Sequence, residues 1–178
     1  WWETPASIAR EDKLPVFRKD PASISQQGFQ LLDSAGNRVD PMTIDWSRLS
    51  ADNFPYRVRQ APGPKNALGR VKIMFPNKHN VYLHDTPARQ LFNRTERAFS
   101  SGCVRVADPI DLTEWLLQGH AKWTRQRIDA VIEQGAETRI DLAQKVPIHI
   151  LYLTAVTEAD GSLCGGRKLG LSGCCGCR

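Results

Sequence analysis

The chain has 178 residues, 41% of them hydrophobic and 24% charged. This excludes a disordered polyelectrolyte and suits one soluble domain with a real core, and no run of 18 apolar residues spans a membrane. The net charge of +5 is uneven: residues 54–105 hold ten Lys or Arg against only Asp85 and Glu96, a focused positive field that favours an anionic partner.

The opening, WWETPASIAR, has neither an initiator Met nor a leader, so it reads as a trimmed start. Residues 7–28 predict a broken helical stretch: Ser7 caps it, Pro15 interrupts it, Pro21 reopens it and Gly28 stops it. FQLLDSAGNRVD predicts a hairpin turning on Ser-Ala-Gly-Asn. APGPKNALG, residues 61–69, is a loop by its two prolines and two glycines. RVKIMF alternates, with Val71, Ile73 and Phe75 on one face, and predicts a strand. NVYLH predicts a second strand ending at His84, and residues 85–99 a long polar connection.

Beyond Val106, Asp108, Pro109 and Gly119 bound a predicted helix, and residues 122–134 form another with Ile128, Val131 and Ile132 on one face. ETRIDL and VPIHILYLTAV predict strands, the second central and covered on both faces because it is apolar almost throughout. The order of elements is not a βαβ alternation. It predicts an α+β domain whose body is a sheet or sandwich. Four of the five cysteines fall in the Gly-rich end, SLCGGRKLGLSGCCGCR. The Cys174-Cys175-x-Cys177 spacing is poor for a metal, and residues 162–178 are expected to be disordered. No zinc-finger spacing and no aromatic-plus-basic motif supports a nucleic-acid partner.

Cys103 stands alone in the body of the chain, 19 positions after His84. A thiol attacks as thiolate, and an imidazole brought beside it by another segment supplies that form. A strand delivering His84 and a returning loop delivering Cys103 would bring them together. Asp85 is placed to orient the imidazole, although neighbouring side chains on a strand point to opposite faces. Ser100-Ser101-Gly102-Cys103 suits a tight turn whose Gly102 and Cys103 amides face a developing oxyanion. Arg105 shares the side of Cys103 and suits a substrate carboxylate or the anchoring of the loop. On the residues alone, a buried Cys beside a turn and a surface His explain the pattern as well.

The segment YLHDTPARQLFNRTERAFSSGCVRV resembles the active-site signature of the L,D-transpeptidases, cysteine enzymes that cross-link peptidoglycan. Their pattern is a strand-end His, some 15 residues, then Ser-His-Gly-Cys, one residue, and Asn or Arg. YRVRQAPGPKNALGRVKIMFPNKHNVYLHDTP, LFNRTERAFSSGCVRVADP and VPIHILYLTAV extend the resemblance across about residues 1–161, toward the large Gram-negative, YcbB-type branch. It implies a β-rich sandwich with helices 109–118 and 122–134 alongside and a helical capping insert at about 7–65. It also implies first strands upstream of Trp1. Cys103 would be acylated by a donor stem peptide and His84 would be its base. Ser100, Gly102 and Arg105 would shape the oxyanion pocket and its loop, while Ser101 stands where the signature has its second histidine. Diaminopimelate-bearing peptidoglycan stem peptides would be donor and acceptor, with no cofactor, metal, nucleic acid or membrane insertion, and the substrate implies a periplasmic site. Hydrolysis of the same acyl-enzyme, an L,D-carboxypeptidase activity, is one alternative. An inactive peptidoglycan-binding module is another.

Overall fold

The computed structural model describes residues 1–151, 155–157, 159–161 and 163–165. Its first layer is a four-stranded antiparallel sheet of β1 (Trp2–Glu3), β2 (Phe29–Leu32), β3 (Arg38–Val39) and β4 (Arg57–Gln60), in the order β1-β4-β2-β3. The predicted hairpin is β2–β3, with Leu31 opposite Val39. Gly36 takes φ +88° in its turn, and the Asp33 carboxylate accepts from the Asn37 N–H at 2.8 Å. Such local bonds and a left-handed glycine are what a short turn requires.

Helices α1 (Ala6–Ile8), α2 (Leu14–Lys19) and α3 (Ala22–Gln26) cover this sheet. They lay Leu14, Phe17 and Ile24 onto Phe29, Leu31 and Val58 to form the main core. Phe17 is completely buried and meets Phe29 edge-on at 5.5 Å. Pro15 does not interrupt the helix as expected. The run widens into a π-helical stretch, Ala9–Lys13, and continues into α2. Proline lacks an N–H and crowds the carbonyl four residues back, and a π turn relieves both. The span 7–65 holds these helices together with β2, β3 and β4.

Buried amides pin the predicted loop after β4. Gln60 Nε2 donates to Gln27 O and Lys65 O while its Oε1 accepts from Ala67 N–H. Asn66 Nδ2 donates to Ala61 O at 2.9 Å. These bonds satisfy the backbone of a buried turn and deliver the chain to a second sheet. That sheet consists of β5 (Lys72–Ile73), β6 (Leu83–His84) and β7 (Val104–Arg105) in that order. β6 runs antiparallel to β5 and parallel to β7. Parallel neighbours need a long crossover, which is why a long polar connection follows His84. It includes a 3-10 turn, Arg89–Asn93.

Helices α4 (Pro109–Leu116) and α5 (Arg125–Gln134) build a smaller core from Ile110, Leu117 and Ile128. α5 starts three residues later than predicted because Thr124 caps it, its hydroxyl accepting from Arg127 N–H. Gly135, at φ +68°, ends it as a left-handed cap.

Two strand expectations are corrected. Residues 137–142 form no strand, and neither does the described part of VPIHILYLTAV up to Leu151. Val146, Ile148, Ile150 and Leu151 are exposed rather than central. An apolar strand becomes central only when neighbours cover it, and among the described residues none does. The end of that segment does pair: β8 (Ala155–Thr157) runs antiparallel to β9 (Leu163–Gly165). Gly161 takes φ +84° between them. Of residues 162–178, expected to be disordered, Leu163–Gly165 form β9 and the rest lie outside the described residues. Among the described residues no helix is long and apolar enough to cross a membrane, and no three His, Cys, Asp or Glu side chains gather as metal ligands.

Candidate active site

The pairing of β6 with β7 builds the site. Val104 N–H donates to Tyr82 O at 3.1 Å and Val106 N–H to His84 O at 2.9 Å. Leu83 therefore faces Val104, and His84 faces Arg105. Alternate residues of a strand share a face, so Tyr82 and His84 project beside Cys103 and Arg105. The Tyr82 and His84 rings meet edge-on, with centroids 5.9 Å apart.

His84 is buried, at 5% exposure. Its Nδ1 lies 2.5 Å from the Asp85 carbonyl oxygen. A carbonyl only accepts, so Nδ1 carries the proton and Nε2 is left as the free acceptor. Burial pushes the His84 pKa down, and the Arg105 and Lys72 charges push the same way. The hydrogen bond to Asp85 and the Asp85 carboxylate oppose this without reversing it. The imidazole is thus neutral near neutral pH and able to take a proton from a neighbour.

Cys103 is a half-buried free thiol that packs against the main core. The polar side chain that acts on it most closely is Tyr82, opposite Cys103 across the strand pair, whose phenol feels both Cys103 and Trp2. Burial first, and then Cys103, push the Tyr82 pKa up to about 12, so the phenol stays a donor. Lys72 Nζ sits 4.1 Å from the Tyr82 ring centroid. Among the described residues no hydrogen bond joins Cys103 directly to His84. His84 ends β6 and Cys103 immediately precedes β7, with Tyr82 beside both.

The nucleophile loop is shaped locally. Ser100 Oγ donates to Cys103 O at 2.6 Å and lies 3.4 Å from the Gly102 N–H. Gly102 takes φ +126°, a conformation that favours glycine. Arg105 donates to Phe99 O at 2.9 Å and so ties down the start of the loop. Its Nε is buried without a partner among the described residues. Ser101 is exposed. Asp85 touches the imidazole through its carbonyl, and its carboxylate turns the other way, onto Arg70 and Arg89.

The sequence reading singled out His84, Asp85, Ser100, Ser101, Gly102, Cys103 and Arg105, which the fold gathers around one strand pair and its loop. It missed Tyr82 and Lys72. The signal for Tyr82 was available: two residues before His84 on a predicted strand, it had to share the face of His84. Lys72 carried no such signal, because its place beside Tyr82 depends on the β5–β6 register.

Comparison with known proteins identifies the family. The YkuD model, an L,D-transpeptidase catalytic domain, matches residues 1–133. A Haemophilus influenzae protein whose name marks it as a provisional L,D-transpeptidase is 44% identical over 157 residues. The aligned region covers 88% of this chain and 32% of the relative, so the chain spans about a third of that protein's length.

Proposed function

We propose that this chain, which belongs to the YkuD family of L,D-transpeptidase catalytic domains, transfers acyl groups between peptidoglycan stem peptides through Cys103. The observation that carries the reading is the buried His84, at the end of the strand that pairs with β7, whose Nδ1 is committed to the Asp85 carbonyl. Cys103 loses its proton to His84 Nε2. The sulfur attacks the carbonyl carbon of the donor's peptide bond to its terminal D-alanine. That C–N bond breaks, His84 returns the proton to the departing amine, and a thioester to Cys103 remains. An acceptor amine then attacks the thioester, gives a proton to His84 and frees the sulfur, which recovers its proton.

The Tyr82 hydroxyl is placed to support negative charge on the sulfur, and Gly102 and Ser100 hold the loop in its turn. Lys72, Arg105 and the other cations of residues 54–105 suit stem peptides, which carry free carboxylates. Such a substrate suits a periplasmic site for the protein.

The test is acylation by a carbapenem, followed by intact mass on the full-length protein. Cys103→Ala should form no adduct, because Cys103 is the free cysteine of this site among the described residues. His84→Ala should slow adduct formation by ~10²–10⁴-fold, the usual contribution of a general base. An adduct on another cysteine, with Cys103 free, overturns the assignment.

A further inference from the structure

Asp85 is buried, its side chain 4% exposed, although nothing in the chemistry above uses its carboxylate. A buried carboxylate is costly to desolvate unless it is paired and fully hydrogen-bonded. This one is. Oδ2 accepts from the Arg70 backbone N–H at 2.9 Å and from Arg70 Nε at 3.3 Å, and Oδ1 accepts from Arg89 Nη1 at 3.3 Å. The backbone is engaged as well: Asp85 N–H donates to Val71 O at 2.9 Å, and Asp85 O accepts from His84 Nδ1.

The seat of this carboxylate is cut to shape. A Cβ at position 69 would lie 2.4 Å from Asp85 Oδ2 and 2.5 Å from its Cγ, and Gly69 has φ +61°. Only glycine leaves that space, and it adopts that backbone without strain. Arg89 reaches further, donating also to Ala107 O and standing 3.9 Å from Asp108. Ala107 lies just past the end of β7, so one guanidinium ties the exit of the histidine strand to the exit of the nucleophile strand.

We propose that Gly69, Arg70, Asp85 and Arg89 form a positioning clamp that fixes the Asp85 carbonyl and thereby sets the tautomer and aim of His84. Asp85 points off the site face, so its side chain acts through its own backbone and not on the imidazole directly. The carbonyl is the only hydrogen-bond partner of His84 Nδ1 among the described residues. If the carbonyl swings away, nothing favours the Nδ1–H form, and Nε2 ceases to be the committed acceptor. Partners behind a working histidine commonly change activity by ~10–100-fold.

The proposal rests on His84 acting as the base, and the experiment separates the two. The full-length protein is labelled with 15N-histidine, and the His84 tautomer is read by long-range proton–nitrogen NMR at a pH where the ring is neutral. Acylation by a carbapenem is followed in parallel by intact mass. The wild type should show the Nδ1–H tautomer. Asp85→Ala and Arg89→Ala should show mixed tautomers and acylate ~10–100-fold more slowly, and Arg89→Lys should recover part of both. If Asp85→Ala does not fold, Arg89→Ala carries the test, since Arg89 is half exposed. A folded Arg89→Ala with the wild-type tautomer and rate overturns the clamp. A wild type that forms no Cys103 adduct overturns the function instead, and the tautomer still decides the clamp.

Discussion

The two sheets are held by different forces. The β1–β4 sheet and its helices bury Phe17, Ile24, Leu31 and Val58 almost completely. The β5–β7 sheet has strands of two residues each and leans on polar links: Asp85 with Arg70 and Arg89, Ser100 with Cys103, and Arg105 with Phe99. Cys103 and Tyr82 lie at the seam, on the second sheet yet against the first core. Apolar packing is non-directional and tolerates small displacements, whereas hydrogen bonds fix angles. Stability is therefore concentrated in one layer and aim in the other.

The comparison breaks first if stability and chemistry do not separate. Phe17→Ala removes a completely buried ring between Phe29 and Trp46. It should cost ~3–5 kcal/mol of stability, measured by urea unfolding. The acylation rate per folded molecule should remain near wild type. A rate that collapses while the protein stays folded would mean that the core also sets the aim.

Tyr82→Phe tests the seam. It keeps the buried ring and removes the hydroxyl that stands ready to donate to a Cys103 thiolate. A hydrogen bond to a charged partner is worth ~1.5–3 kcal/mol, so acylation should slow by roughly 10–100-fold at little cost in thermal stability. An unchanged rate would make Tyr82 a packing residue only.

The pH profile sharpens the electrostatic half. The His84 pKa is lowered chiefly by burial. The acid limb of acylation should therefore lie below the ordinary histidine value of about 6.5. The charged groups acting on the ring are Arg105 and Lys72, which lower its pKa, and Asp85, which raises it; Tyr82 packs against it, and Cys103 immediately precedes the neighbouring strand. Lys72→Gln should shift the limb toward higher pH, and a shift the other way would refute this account. Stability carries the same sign. A depressed folded-state pKa contributes stability that is full above the unfolded value and is lost as pH falls through the folded one.

How much of this was legible in the sequence follows the same division. Local rules found the hairpin at Phe29–Val39, α4 behind Pro109, and the strand ending at His84, because turn residues, caps and period-2 alternation are written in neighbouring positions. The His84–Cys103 juxtaposition came from the spacing of the signature. What spacing could not show was long-range. Gly69 and Arg70 read as the end of a loop, and only the fold brings them to Asp85. The nearly continuous apolar run VPIHILYLTAV predicted a strand covered on both faces, but such a run states a demand for partners and does not supply them.

The smallest effect expected is at Ser101. It stands where the signature has a second histidine, so a catalytic part for it is a natural guess. Its neighbour Ser100 donates to the Cys103 carbonyl and lies near the Gly102 amide, both within the turn that presents the thiol. Ser101 is exposed and makes no such bond among the described residues. Removing an exposed hydroxyl away from such features changes stability by no more than ~0.5 kcal/mol. Ser101→Ala should therefore acylate within about twofold of wild type, whereas Ser100→Ala should be clearly slower, because it frees the Cys103 carbonyl and lets the turn open. The measurement is the rate of carbapenem adduct formation by intact mass, both variants run beside wild type. If Ser101→Ala is the slower of the two, the loop works through a contact with substrate at Ser101 and not through the internal bonds of Ser100, and aim in this layer would be completed only when substrate binds.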